Sequence, residues 1–401
     1  MMTISRIGAI RLCAGLFIIV WVLLLSQQVY YYVGVLLSLV CAMFGMPVIK
    51  RLLHQSKAVQ FALLMASIAL VWMGVGSVIF GIFDAQFYTR IFYFYFNVAS
   101  AAGIAYLLIR FAKLDSEGAI RLIWMAFAIY GLLNVLALVY QPFQHASLAL
   151  FRLDEHQKQL FEQHPHRFFG LAGFNGFGVS IIYPLLITLV LRSASKRTVL
   201  GICAVCLFTL VGLFASRIAG ILCLLVAFAL APPKVKALML LVCWVAALYI
   251  LSIIEDSETL KWAFEMLINF VNGEGFTTES SDILIGRMYF IPDSWITMFF
   301  GDFYYLNPDG SYYGGTDAGF MRLMLYFGIF GCFFYYLSFI GISMLLRFEL
   351  IFILMGIMII SEVKGDAILA SPASKLYFLI IFTSLGKQIS IRKSPQQLNA
   401  L

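Results

Sequence analysis

Long apolar runs separated by short polar breaks occupy most of this 401-residue chain. None alternates with the period of two that a membrane barrel strand needs. Backbone polar groups surrounded by lipid must be bonded within their own segment, so these runs predict helices. Crossing a bilayer takes ~20 apolar residues. The runs place spans near 8–25, 29–49, 58–80, 91–109, 120–140, 171–191, 198–215, 218–231, 237–254, 319–345, 348–361 and 376–386, the last two short. Ser216-Arg217 splits the stretch 198–231 into a helical hairpin, and Pro232-Pro233 ends it. Two polar stretches are long, about 141–178 and 255–319. The expected fold is all-α: one polytopic membrane bundle over residues 1–401 with about 12 transmembrane helices and two large loops on one face.

Composition agrees and excludes a soluble domain. Residues are 62% hydrophobic and 12% charged, with a mean hydropathy of +0.95, against roughly 25% charged in soluble domains. Charge then orients the bundle. With the N-terminus inside, 17 of the 27 basic residues but only three of the 20 acidic ones fall on the cytoplasmic side. This is the bias expected of cytoplasmic loops, with both termini inside and the two long loops outside. The basic balance is therefore a topology signal, and no nucleic-acid partner is expected. The seven cysteines lie in apolar stretches, so no disulfide framework is expected. Cys203 and Cys206 form a C-x-x-C inside an apolar run and read as small hydrophobes. Arg6 and Arg11 precede a first span without a small-residue cleavage site, which reads as a retained span.

Candidate chemistry concentrates in the outer loops. The stretch 286–331, GRMYFIPDSWITMFFGDFYYLNPDGSYYGGTDAGFMRLMLYFGIFG, combines charge, aromatics and glycine turns before returning to hydrocarbon. It holds Arg287, then Asp317 at the start of an apolar helix, with Arg322 in its first turns. Asp317 is a candidate acid–base group and equally, with Thr316, a candidate helix cap. Tyr304, Tyr305, Tyr312 and Tyr313 are either an interfacial belt or platforms on which sugar rings stack. In the first long loop Arg167 precedes Gly170, Gly173, Gly176 and Gly178, with Asn175 among them. Glycine turns expose N–H groups and the arginine adds a fork, a combination suited to phosphate. His164 and His166 have no third ligand at metal spacing. Arg217, in LFASRIAGIL, sits at an outer helical turn or faces a polar cavity. Three cations over net-acidic loops point to a bound polyanion. In TLKWAFEMLINFV, Leu260, Ala263, Phe264, Leu267, Ile268 and Val271 share one helical face, and Glu258, Lys261, Glu265 and Asn269 the other. Such a helix lies on the bilayer or closes over the bundle.

The order of these features resembles the O-antigen polymerase and O-antigen ligase superfamily of membrane glycosyltransferases. The resemblance rests on Arg167-x-x-Gly170 with Asn175, Ser216-Arg217, Gly286-Arg287 and Asp317-x-Gly319 leading into YFGIFG, and spans roughly residues 141–345. It implies a GT-C-like bundle in the bacterial inner membrane with a periplasmic site, where Arg167, Arg217 and Arg287 engage the diphosphate of an undecaprenyl-linked glycan, with Asn175, Arg322 and Tyr313 beside them. It also implies polymerisation of oligosaccharide repeats into O-antigen or capsule-type polysaccharide, with Asp317 acting on the acceptor hydroxyl and single displacement inverting the anomeric centre. Implied partners are membrane lipids, a chain-length regulator and a flippase. Ligases of the superfamily carry a histidine near the end of the second large loop. The loop 255–319 has none, and Asp317 stands roughly in its place, which favours polymerase over ligase. Metal-dependent relatives of this fold class carry acids in the first outer loop. Here that loop is Ser26-Gln27-Gln28, so no metal or cofactor is expected. A polysaccharide transporter is the rival from another class, disfavoured by few mid-span charges and two large loops.

Overall fold

The polar breaks of the sequence become helix ends. Asp115 accepts the Gly118 amide, Thr198 the Gly201 amide and Ser371 the Ser374 amide, with Pro372 at the first helical position. A computed structural model describes residues 6–24, 31–149, 177–193, 198–233, 236–237, 258–275, 277–307, 311–369 and 371–386. In chain order its α-helices of five residues or more are α1 (Arg6–Leu24), α2 (Tyr31–Gln55), α3 (Lys57–Phe80), α4 (Ala85–Tyr106), α5 (Ser116–Val139), α6 (Gln141–Ala149), α7 (Ile182–Arg192), α8 (Val199–Ala215), α9 (Arg217–Leu230), α10 (Glu258–Val271), α11 (Glu279–Ile283), α12 (Trp295–Phe300), α13 (Gly319–Ser343), α14 (Phe348–Lys364) and α15 (Pro372–Leu385). Among the described residues the only β-pairing is an isolated bridge between Leu306 and Tyr312.

The chain is a multi-pass helical membrane protein. Among the described residues five helical segments are long and apolar enough to cross a bilayer: Gly34–Gln55, Lys57–Phe80, Phe87–Phe111, Ser116–Ala137 and Gly319–Ser343. The helices α1, α7, α8, α9 and α15 are apolar but shorter. The expected span at 237–254 lies, beyond its first residue, outside the described residues. Shortness has a structural counterpart. Residues Ile182–Leu191 of α7 and Ala373–Thr383 of α15, Lys375 included, are buried along their whole length, walled by protein on every side. The long α2 and α3 are only one-third buried over their membrane windows and present their remaining apolar surface outward.

Small residues set the closest crossings. A Cβ on Gly103 of α4 would lie 1.7 Å from the Cys41 carbonyl oxygen, and one on Gly45 of α2 would lie 1.9 Å from the Ala99 carbonyl oxygen. The two backbones therefore touch, the packing that small residues allow in membranes. The helix α13 is broken. Gly328, in the YFGIFG motif, has φ 66° and ψ 177°, a conformation essentially restricted to glycine. The carbonyls freed by the break are occupied. Asp302 N–H donates to Leu325 O at 2.8 Å, Phe303 N–H to Tyr326 O at 3.2 Å and Trp72 Nε1 to Phe327 O at 3.0 Å. Irregular backbone is tolerated at membrane depth when protein satisfies it in this way. The break thus anchors the segment 301–306, and that segment carries Tyr305 to the candidate site.

Candidate functional site

Alternate helix ends converge on one polar cavity of about 530 Å³. The start of α4 contributes Arg90, the start of α9 Arg217, the first turn of α13 Arg322 and the end of α14 Lys364. Asp317, Asp366 and Tyr312 also line it. The four cations stand at helix ends that the charge pattern assigns to the outer face.

Arg322 is 6% exposed, and its guanidinium carbon lies 4.0 Å from the Tyr305 ring centroid and 3.9 Å from that of Tyr312. Its Nε and Nη2 are buried with no hydrogen-bond partner among the described residues. Burying an unpaired cationic donor is costly, so the arrangement calls for an anion or an ordered water. Arg90 meets Asp366 at 3.4 Å and lies 4.8 Å from the Tyr305 ring centroid. Tyr305 is held at both ends: its N–H donates to Asp84 Oδ2 at 2.8 Å and its hydroxyl to Asp366 Oδ2 at 3.3 Å. Burial and the Asp366 carboxylate push its phenol well up, so it stays neutral. Lys364 Nζ donates to the Ser280 carbonyl and hydroxyl, both at 3.3 Å.

Asp317 is not a helix cap. The N-cap residue of α13 is Ala318, which has no side-chain cap bond, and the Ala318 amide donates to Thr316 Oγ1 at 3.2 Å. Thr316 in turn donates to the Met288 carbonyl at 2.9 Å. Asp317 is left at the cavity wall with Oδ1 buried and unpartnered among the described residues. Burial pushes its carboxyl above the usual value, while Lys364 and Arg322 pull it back. A carboxylate tuned upward beside cations is the profile of an acid–base group.

The amphipathic helix forms as α10, and its polar face meets the protein. Glu265 pairs with Arg217 and accepts the Glu279 amide at 2.8 Å, and Asn269 donates to the Thr277 carbonyl at 3.0 Å. The Arg217–Glu265 pair ties this helix to the start of α9.

The structure brings Arg217, Asp317 and Arg322 together. It places Arg287 elsewhere: exposed, in the π turn Leu284–Met288, while the next residue, Met288, lines the cavity. Tyr313 also stands off the wall. It donates to Asp302 Oδ2 at 2.9 Å and packs against Tyr304, and burial and that bond push its phenol up to about 12. Tyr305 and Tyr312 each turn a ring face to Arg322. Arg167 and Asn175 lie outside the described residues.

Sequence reasoning passed over Arg90, Lys364 and Asp366. All three lie on the outer side of the charge assignment, but in short breaks between apolar runs and outside the two long loops. Arg90 and Asp366 are 276 residues apart, a separation that no local pattern bridges. Comparison with protein-family models, with curated proteins and with solved structures finds no match to this chain.

Proposed function

We propose that this chain is a glycosyltransferase of the bacterial inner membrane, a GT-C-like bundle of about 12 spans with both termini cytoplasmic, that polymerises undecaprenyl-diphosphate-linked oligosaccharide repeats at its periplasmic face. The observation that carries the reading is the convergence of Arg90, Arg217, Arg322 and Lys364 with Asp317 in one cavity at the end of the bundle. A diphosphate complements this cluster of four cations, and its lipid tail would hold it at the membrane.

The chemistry follows from that pairing. An acceptor hydroxyl attacks the anomeric carbon of the donor sugar. The new C–O bond forms as the bond to the diphosphate oxygen breaks, and the electron pair leaves with the lipid diphosphate. The cations stabilise the charge growing on that leaving group, the role preorganised donors play in transition states. The hydroxyl proton goes to Asp317. Attack opposite the leaving group inverts the anomeric centre.

Purified protein in liposomes, given a defined lipid-linked repeat and no ion gradient, is expected to produce a ladder of longer lipid-linked products. Repeats that cross the bilayer unextended would identify a transporter. Transfer only to a lipid A–core acceptor would identify a ligase.

A further inference from the structure

We propose that the stack Tyr305–Arg322–Tyr312 is a diphosphate clamp, in which Arg322 binds phosphate oxygens edge-on and the two tyrosines are positioning residues. The proposal rests on the reading of the cavity as the seat of a diphosphate-linked substrate, and it names the group that does the holding.

Both tyrosines flank one short antiparallel pairing. Its arms are set by the bridge between Leu306 and Tyr312 and by the Asn307 N–H to Ser311 O bond of 2.8 Å. That register puts residues 305 and 312 on opposite arms, and both rings lie at about 4 Å from the guanidinium carbon. The inner ring, Tyr305, is 2% exposed and bonded at both ends; the outer ring, Tyr312, is 43% exposed. Aromatic rings occupy the faces of the guanidinium and leave its N–H donors free in the plane. Nε and Nη2, the two atoms without partners among the described residues, share one edge of that plane. Two parallel N–H groups on one edge match two oxygens of a phosphate, a geometry lysine cannot reproduce. Arg90, beside the Tyr305 ring, and Lys364, across the cavity, supply further positive charge for a second phosphate.

Binding to protein in phosphatidylcholine nanodiscs tests the clamp without any turnover. Inorganic diphosphate, a short-chain polyprenyl diphosphate and phosphatidylglycerol are titrated separately. Both diphosphates are expected to bind, the polyprenyl form more tightly. Arg322→Lys should weaken both by about tenfold or more, although it keeps the charge. Tyr312 is partly exposed, so its variants should leave folding intact. Tyr312→Phe should bind within about twofold of wild type, and Tyr312→Leu several-fold more weakly, since only the ring face is needed. Wild-type affinity in both Arg322→Lys and Tyr312→Leu would overturn the clamp, as would phosphatidylglycerol binding as tightly as the polyprenyl diphosphate. The two readings separate cleanly. Clamp-dependent diphosphate binding with no chain elongation removes the polymerase and leaves the clamp. Elongation indifferent to Arg322→Lys and Tyr312→Leu removes the clamp and leaves the polymerase.

Discussion

Arginines stand at both ends of the bundle in different settings. At one end Arg192, on the last turn of α7, pairs with Glu349 at 3.2 Å, with 38% and 78% of their side chains exposed. Arg11 reaches the Lys113 carbonyl at 3.5 Å in equally open surroundings. At the other end Arg322 is 6% exposed and stacked between two rings. The open arginines belong to the charge pattern from which sidedness is read, and water screens their pairs. The enclosed arginine is removed from water, and its Nε and Nη2 have no hydrogen-bond partner among the described residues. Charge that sets topology and charge poised for chemistry are thus the same residue type, separated by burial.

That contrast makes four substitutions informative. Arg322→Ala should cut elongation about a hundredfold to a thousandfold, the scale of losing a preorganised donor to a leaving group. Arg192→Ala should leave elongation at the wild-type rate in the same assay. Equal losses would erase the distinction between the two ends.

Asp317→Asn should lower the elongation rate by about a hundredfold or more and flatten the acid side of the pH–rate profile. The sign follows from the raised carboxyl. Asp317 takes up a proton at a higher pH than an ordinary aspartate, so the base is lost, and activity falls, earlier on acidification. A bound diphosphate adds negative charge nearby and moves that limb further up. An unchanged acid limb in Asp317→Asn would remove Asp317 as the base.

Gly328→Ala tests whether the enclosed end depends on the broken helix. A Cβ there would lie 2.2 Å from the Phe299 carbonyl oxygen on a backbone with φ 66°. A loss of about 3 kcal/mol is expected, read as a lower thermal unfolding midpoint in detergent. Gly356→Ala in α14, whose Cβ meets nothing within 4 Å, is the control and should unfold like wild type. The smallest effect belongs to the open end. Glu349→Ala should change stability by under about 1 kcal/mol, and raising salt should abolish even that.

Much of this was legible without coordinates because it depends on local pattern. Apolar runs with Ser, Thr, Asp and Pro at their edges became helices at nearly those bounds, and Ser216-Arg217 did divide α8 from α9. The residues Arg217, Asp317 and Arg322 were legible as polar groups interrupting hydrocarbon. Arg287 looked equivalent to them in sequence, since it too follows a glycine in an aromatic run. Its exposure follows from the turn of the π segment, a matter of a fraction of a helical turn. Tyr312 and Tyr313 are adjacent and chemically identical, yet one stacks on Arg322 and the other bonds Asp302. The side on which each ring falls depends on hairpin register, which composition does not express.

The sequence alone determined that this is a helical membrane protein, which loops share a face, and that cations and an acid gather on that face. Those properties follow from hydropathy and charge, which act on each segment separately. Only the tertiary structure decided which cations meet. Arg90, Arg217, Arg322 and Lys364 come from four helices, and packing places their ends around one cavity. It also decided that Asp317 is not a cap, because helix α13 starts one residue later than the chemistry of its flank foretold. Bringing like charges together is unfavourable locally, so no local rule predicts it. The fold holds them there through tyrosine faces, acid partners and a broken helix formed by residues far away in the chain.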